Sequence, residues 1–299
     1  KIVRRVFPIT EDEKKEAESN HTFTILDDRF LSSPAFALDQ SKTVLLEMMK
    51  HSCDAMRYAI DLIYDYDDKK AHEVVRLEDL VDEYEDHLND YLSKVATTDL
   101  SEKDGHTLAS LLHSTNDFER ISDHALNIKE SIEKMHEEGT TFSESALTEL
   151  HVFTDAILEI LKTTDSALKN DDIELVKRID PLEDTIDKLN LEINDHHVER
   201  LQSGECTVEQ GLYLSDIMVD LERVADHCSN IAAYQLSAED GTFEVHELSQ
   251  REREARNASF QLLEEGYRAK YEIPEYEAPK KKSEKKDKDK KDKKKKKKK

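Results

Sequence analysis

Two segments of this chain place acidic side chains one helical turn apart. The chain reads D-F-E-R-I-S-D-H-A-L-N-I at 117–128 and, 103 residues later, D-L-E-R-V-A-D-H-C-S-N-I at 220–231, with seven of the twelve positions identical. Both segments contain E-x-x-x-D-x-x-x-N. Carboxylate and amide oxygens at this spacing can bind hard cations such as Mg²⁺, Mn²⁺ or iron. The candidate ligands are Glu119, Asp123 and Asn127 in the first segment and Glu222, Asp226 and Asn230 in the second.

Helical periodicity separates these acids from the predicted core. At about 100° per residue, Phe118, Ile121 and Ala125 belong to an apolar stripe, and the acids lie roughly opposite, facing solvent. The second segment also has an apolar stripe, with its acids roughly opposite. A second interpretation is a solvated acidic face whose local counter-charges are Arg120 and Arg223.

The helices that precede the two segments also correspond to each other. Residues 75–88 align with residues 176–189 at an offset of 101, which places Asp82 and Asp86 over Glu183 and Asp187. Each half therefore presents acids from two helices. Like charges at this spacing repel each other, so a bound cation or a basic partner is expected to neutralise them. Asp82 differs in type from Glu183, so the two sites need not be equivalent.

The elements that carry these residues are predicted to be long helices. The chain has only 6 Gly and 5 Pro, which excludes an all-β fold. Apolar periodicity predicts helices at about 35–66, 70–95, 101–137, 143–169, 171–202 and 207–237, followed by a seventh at about 245–271. Thr207-x-x-Gln210 fits a capping box, and Ser101-x-x-Asp104 resembles one. The predicted fold is all-α, a tandem of two three-helix bundles plus a C-terminal helix.

Charge and composition limit the classes of function. Residues 280–299 carry 15 Lys against 4 acids, which leaves 29 basic and 64 acidic residues, a net charge of −35, in residues 1–279. Such a field argues against nucleic acid as a partner and favours cations or basic surfaces. No Gly-rich phosphate loop or activated nucleophile is present, so catalysis is not predicted. The three cysteines show no metal-site spacing, which favours a reducing compartment.

Several histidines and cysteines have alternative interpretations. His124 and His227 occupy matching places beside the segment acids, and an interhelical hydrogen bond is favoured over a metal-ligand role. The pair at 196–197 is predicted to lie on the surface. Cys53 and Cys228 lie on apolar stripes, where a free cysteine usually serves as a small buried hydrophobe. A ferritin-like di-iron site needs two Glu-x-x-His motifs that project into a bundle core, whereas the motif at 133–136 lies at a helix end.

The repeated segments resemble the E(D)-x-x-x-D signature of PhoU domains, which are tandem three-helix bundles that regulate phosphate uptake. The resemblance covers about residues 38–237. It implies multinuclear iron or zinc clusters on the carboxylate surface, although manganese and magnesium also suit such ligands. The ligands implied by position are Glu119, Asp123, Glu222 and Asp226, with Asp82, Asp86, Glu183 and Asp187 from the preceding helices.

The flanking segments at 26–40 and 260–274 resemble those that bracket the PhoU region of bacterial sodium-dependent phosphate cotransporters. This resemblance implies a regulatory domain at the cytoplasmic face of the membrane, with the membrane part of the same polypeptide as its partner. The basic opening Lys1 to Pro8, which lacks a Met, fits transmembrane helices upstream. The alternative is a free-standing, soluble, metal-binding regulator or adaptor whose acidic face docks a basic protein. A homodimer is left open.

The domain organisation follows from these assignments. Residues 1–37 are predicted to be a juxtamembrane linker, 38–138 and 143–237 the two repeats, 245–273 a C-terminal helix and 274–299 a disordered tail. The Lys-rich tail is low in complexity and cannot fold alone. It is either a solubilising extension or a segment that contacts anionic lipid.

Overall fold

The computed structural model describes residues 22–240 and 257–276, and this part of the chain is helical without strands. The all-α prediction is confirmed. A 3₁₀ helix spans Asp28–Ser32. The α-helices are α1 (Pro34–Tyr64), α2 (Asp68–Val95), α3 (Glu102–Glu137), α4 (Glu144–Asn170), α5 (Ile173–Val176), α6 (Ile179–Ser203), α7 (Val208–Asp240) and α8 (Asn257–Lys270). Residues 1–21 of the predicted linker, residues 245–256 of the predicted C-terminal helix and residues 277–299 of the predicted tail lie outside the described residues.

Local sequence signals account for several helix ends. The Ser101 hydroxyl accepts a hydrogen bond from the Asp104 amide while the Asp104 carboxylate accepts one from Ser101, and this reciprocal pair starts α3. Thr207 and Gln210 exchange the same two bonds before α7. At the end of α6, Gly204 adopts a left-handed φ of 78°, which glycine tolerates without steric cost.

The helix predicted at 171–202 is divided in the structure. The short helix α5 ends at Val176, and α6 begins at Ile179. Pro181 supplies the physical reason, because it has no amide hydrogen to bond the carbonyl of Lys177 four residues earlier. The predicted continuous helix is therefore wrong at this point, although both pieces are helical.

The helices form two bundles that pack along one shared interface. Helices α1, α2 and α3 contact one another in the first repeat, and α4, α6 and α7 do so in the second, while α8 lies against α6. The most extensive contact between helices joins α3 to α7. The two helices that carry the repeated segments therefore lie side by side at the junction of the repeats.

A buried ion pair stabilises the second repeat. Arg200 on α6 is fully buried, and its Nη1 donates to Glu149 Oε2 on α4 over 2.6 Å. His196 Nδ1 lies 2.8 Å from the other carboxylate oxygen. The Tyr276 ring stands 5.8 Å from the guanidinium carbon. Burial raises the energetic cost of losing either charged partner.

Candidate functional site

The first carboxylate cluster lies where α2 meets α3. It comprises Glu78, Asp82 and Glu85 on α2 and Glu119 and Asp123 on α3. Burial raises the pKa values of Glu78, Asp82 and Glu119, and charges on the opposite helix add to this effect: Asp123 acts on Glu78 and Asp82, and Glu85 acts on Glu119. The acids of the two helices are therefore close neighbours. The acid stripes of α2 and α3 are thus brought together.

Electrostatic crowding in the first cluster favours bound protons. Burial, followed by the Asp123 charge, raises the pKa of Glu119 to about 7. Burial, followed by Asp82, raises the pKa of Glu78 to about 7 as well. The Glu119 side chain is only 18% exposed, because it lies between two helices. The prediction of a solvent-facing stripe is therefore wrong for this residue.

The second carboxylate cluster occupies the equivalent place between α6 and α7. It comprises Glu183, Asp187, Glu222 and Asp226, which are the four residues predicted for this repeat. Burial, followed by Asp187, raises the pKa of Glu183 to about 8. Burial and the charge of Asp226 also raise the pKa values of Asp187 and Glu222. A neighbouring cation would relieve this repulsion.

The remaining predicted ligands are placed differently. Asp86 is exposed, and its charge adds to the effect of burial in raising the pKa values of Asp82 and Glu85 on the same helix. Asn127 donates a 3.4 Å hydrogen bond to Asp220 of the other repeat, so its amide is directed to the interface between repeats. Asn230 is exposed.

Sequence reasoning missed Glu78 and Glu85. They lie at positions −4 and +3 from Asp82, on the part of α2 that turns toward α3. Both residues lie one helical turn from Asp82, but the alignment of the two repeats points to Asp86 instead. Only the packing of α2 on α3 decides which neighbours of Asp82 face α3.

The donor atoms of both clusters suit a hard cation, since all are carboxylate oxygens. Within the described residues, however, no three His, Cys, Asp or Glu side chains converge in an arrangement that could hold a metal ion. Binding would require partly exposed carboxylates to rotate toward a common point. Arg120 Nη1 currently donates to Asp123 over 3.2 Å, and Arg223 lies 3.5 Å from Asp226. These arginines are the counter-charges expected from the sequence.

Two reciprocal Asp–His pairs join the repeats beside the clusters. His124 Nδ1 on α3 lies 2.8 Å from Asp220 Oδ1 on α7, and His227 Nδ1 on α7 lies 2.6 Å from Asp117 Oδ1 on α3. The 103-residue offset interchanges the two pairs, so one contact is the symmetry counterpart of the other. Both histidines make the interhelical hydrogen bond favoured from the sequence.

The histidines at 196 and 197 are not simple surface residues. His196 reaches the buried Glu149, while His197 packs so closely on α7 that a Cβ added to Gly211 would lie 2.4 Å from its Nε2. The surface prediction is wrong because both side chains pack against other helices: Glu149, 47 residues from His196, lies on α4, and Gly211 lies on α7. Cys228 is buried, as its apolar stripe predicted, and Cys53 packs partly buried against the core.

Both repeats are similar in sequence to known proteins. The family model of the PhoU domain matches residues 45–132 and 152–234, which include both clusters. The phosphate-specific transport system accessory protein PhoU homolog 1 of Thermotoga maritima is 26% identical over 201 residues, or 67% of this chain and 86% of the relative.

Two solved structures share the fold. PhoU from Pseudomonas aeruginosa has a TM-score of 0.64 and 20% identity, covering 69% of this chain and 98% of that chain. The phosphate transport system regulatory protein PhoU from Streptococcus pneumoniae has a TM-score of 0.62 and 16% identity, covering 70% and 98%.

These relatives correct one prediction. They are free-standing proteins matched over most of their own lengths, which contradicts the expectation of a membrane part of the same polypeptide as partner. Among the helices of the described residues, none is both long and apolar enough to cross a lipid bilayer.

Proposed function

We infer the function of this chain from its family: it belongs to the PhoU domain family, whose model matches more than half of its length. We propose that the protein is an accessory regulator of phosphate transport, as the name of its Thermotoga maritima relative suggests. It acts by binding, and its acidic faces dock a basic partner protein. The finding that its relatives are free-standing supports the adaptor interpretation over the cotransporter domain.

The paired carboxylate clusters carry the second part of the proposal, which is metal binding. Both repeats place acids of two adjacent helices together, and burial with like-charge repulsion raises the pKa values of Glu119 and Glu183. A divalent or trivalent cation such as iron, zinc, manganese or magnesium would replace the bound protons and supply the missing positive charge. Glu119 and Asp123 would hold it in the first cluster, and Glu183, Asp187, Glu222 and Asp226 in the second.

Metal binding is tested by thermal unfolding of chelator-treated protein with and without added Fe³⁺, Zn²⁺, Mn²⁺ or Mg²⁺. At about 100 times the dissociation constant, a cation that binds only the folded state adds about 2.7 kcal/mol to the unfolding free energy. Replacing Asp123 and Asp226 together by Asn is expected to abolish this increase and leave the helicity intact. The matched control replaces Asp54 and Asp165, which lie outside both clusters. Absence of a metal-dependent increase in the wild type contradicts the metal proposal.

The regulatory role is tested separately in cells. Deleting the gene in its own host should change phosphate accumulation, and restoring the wild-type chain should reverse the change. The Asp123 and Asp226 double variant reports whether the clusters are needed for that role. Unchanged phosphate accumulation after deletion contradicts the proposed role in phosphate transport, whatever the metal result.

A further inference from the structure

Exposed aliphatic side chains are concentrated on one face of the second repeat. Leu191 and Val198 on α6 and Val208, Leu212 and Val219 on α7 are between 49% and 69% exposed. Scattered exposed aliphatics are ordinary, whereas several on one face mark an interaction surface. Within each helix these residues continue the stripe that carries the second carboxylate cluster.

The packing register places these residues opposite one another. Helices α6 and α7 run antiparallel, with His197 against Gly211 and Asp187 near Asp226. Following this register along both helices puts Leu191 opposite Val219 and Val198 opposite Leu212. Two aliphatic pairs thus lie two helical turns apart along the seam between α6 and α7.

Acidic residues alternate with the aliphatic pairs. Exposed Asp195 lies between Leu191 and Val198 on α6, and exposed Asp216 lies between Leu212 and Val219 on α7. We call this surface the α6–α7 strip. Its members are Glu183, Asp187, Leu191, Asp195 and Val198 on α6 and Val208, Leu212, Asp216, Val219, Glu222 and Asp226 on α7. The nearby Lys188 is directed away from the strip, toward Glu264 on α8.

Among the described residues, the first repeat has no equivalent of this aliphatic surface. At the offsets of 101 and 103 residues, Asp90, Thr97, Ala109 and Asn116 correspond to Leu191, Val198, Leu212 and Val219. These equivalents are polar or small. The exposed aliphatics are therefore a property of the second repeat and not of the repeated signature.

We propose that the α6–α7 strip is the docking site for an amphipathic, basic helix of a partner protein, with aliphatic side chains and Lys or Arg on the same face. This inference rests on the docking part of the proposed function and names the surface and the partner chemistry. The seam between two antiparallel helices accepts a third helix, and its acids are complementary to a basic partner. A second copy of this chain fits less well, because a twofold axis through the strip would bring the Asp195 and Asp216 carboxylates of both copies together.

The strip fixes the spacing required of the partner. From Glu183 to Val198 the α6 backbone rises about 22 Å, so a partner helix of about four turns covers it. Aliphatic residues two turns apart would contact the two aliphatic pairs. Basic residues between these two aliphatic residues would face Asp195 and Asp216. Basic residues one turn beyond them would face the second carboxylate cluster.

The test measures fluorescence anisotropy of a labelled, alanine-based helical peptide of about 18 residues with leucines two turns apart and lysines before, between and after them. The wild-type protein is expected to bind it saturably. The double variant Leu191→Asn, Val219→Asn should bind about tenfold more weakly, because two apolar contacts are lost. The control is Leu262→Asn, which removes an exposed leucine of α8 and should leave binding unchanged.

A second pair of variants tests the charge complementarity. Asp195→Asn with Asp216→Asn should weaken the peptide complex several-fold and reduce its salt dependence. Asp54→Asn with Asp165→Asn removes the same charge elsewhere and should have little effect. These four acids are outside the predicted metal ligands. The metal-dependent rise in melting temperature should therefore persist in both strip variants, which separates failure of the docking proposal from failure of metal binding.

Several results would overturn the docking site. One is that the wild type shows no saturable binding of the peptide, and another is that the Leu191→Asn, Val219→Asn variant binds the peptide as tightly as the wild type does. The third result is that the wild type binds a peptide with shuffled leucines, which no longer share a face, as tightly as the original peptide. A dimer in sedimentation that this variant abolishes would instead assign the strip to a second copy of the chain.

Discussion

The two repeats share their acids but differ in what surrounds them. Between α2 and α3 the first carboxylate cluster is continued by polar or small residues such as Asp90 and Asn116, whereas the second is continued by exposed Leu191 and Val219. The second repeat also contains the buried pair of Glu149 and Arg200. Within the described residues, no ion pair inside the first repeat buries both partners in this way.

Some features are shared by both repeats, and others belong only to the second repeat. Positions retained in both repeats, such as Asp123 with Asp226 and His124 with His227, belong to the clusters and to the interface between repeats. The exposed strip and the buried pair of Glu149 and Arg200 are features of the second repeat, and within the clusters Asp82 is replaced by Glu183. The repeats are therefore expected to respond differently to equivalent substitutions.

The largest expected effect concerns the buried ion pair. Glu149→Ala should lower the unfolding free energy by about 3–5 kcal/mol, because it leaves the Arg200 guanidinium buried without its carboxylate. Asp54→Ala breaks the exposed pair with Arg57 in the first repeat and should cost less than about 1 kcal/mol. Urea unfolding measures both. Similar costs for the two variants would show that the repeats do not differ in this respect.

An intermediate effect is expected at the interface between repeats, where the repeats should behave alike. Asp117→Asn and Asp220→Asn each remove the carboxylate charge that supports a histidine hydrogen bond. Each should lower the unfolding free energy by about 1–2 kcal/mol. Exposed Asp216→Asn on the same helix as Asp220 is the control, with a change within about 0.5 kcal/mol. Chemical denaturation provides the measurement. Strongly unequal costs for the two interface variants would contradict the reciprocal symmetry of the pairs.

The smallest effect is the pH dependence of stability in the presence of chelator, because water screens partly exposed carboxylates. The folded-state pKa values of Glu119 and Glu183 are raised to about 7 and about 8. Their stabilising contribution is fully present below the ordinary glutamate pKa and is lost as the pH rises through the raised values. The melting temperature should therefore fall from pH 5 toward pH 8.

Two variants distinguish the clusters in that profile. Glu183→Gln should flatten the decline from about pH 5 up to about pH 8, whereas Glu119→Gln should flatten it only up to about pH 7. Scanning calorimetry across the pH range measures both slopes. Identical profiles of melting temperature against pH for the two variants would contradict an electrostatic difference between the clusters.

Much of the fold follows from the sequence because helices are encoded locally. The apolar stripe containing Phe118, Ile121 and Ala125 is buried as expected. The Ser101 and Thr207 capping pairs also form, since their partners lie only three residues away. The division before α6 was missed although Pro181 is visible in the sequence, because apolar periodicity continues across it.

The candidate site was predictable only in part. The two internal repeats identified the acids of α3 and α7, since a repeated pattern survives divergence elsewhere. They did not identify Glu78 or Glu85, because the face that α2 turns toward α3 depends on how the two helices pack. They also gave no sign that Arg200 is buried against Glu149.

The sequence by itself determined the helical class, the tandem repeat and the acid pattern, all of which depend on residues within a few turns or on internal similarity. The tertiary structure decided which acids meet, that α3 lies along α7, and that His227 pairs with Asp117. The physical reason is that these contacts join residues on different helices, which are 41 positions apart for Asp82 and Asp123 and 110 for Asp117 and His227. Their geometry depends on the packing of whole helices, which local periodicity does not specify.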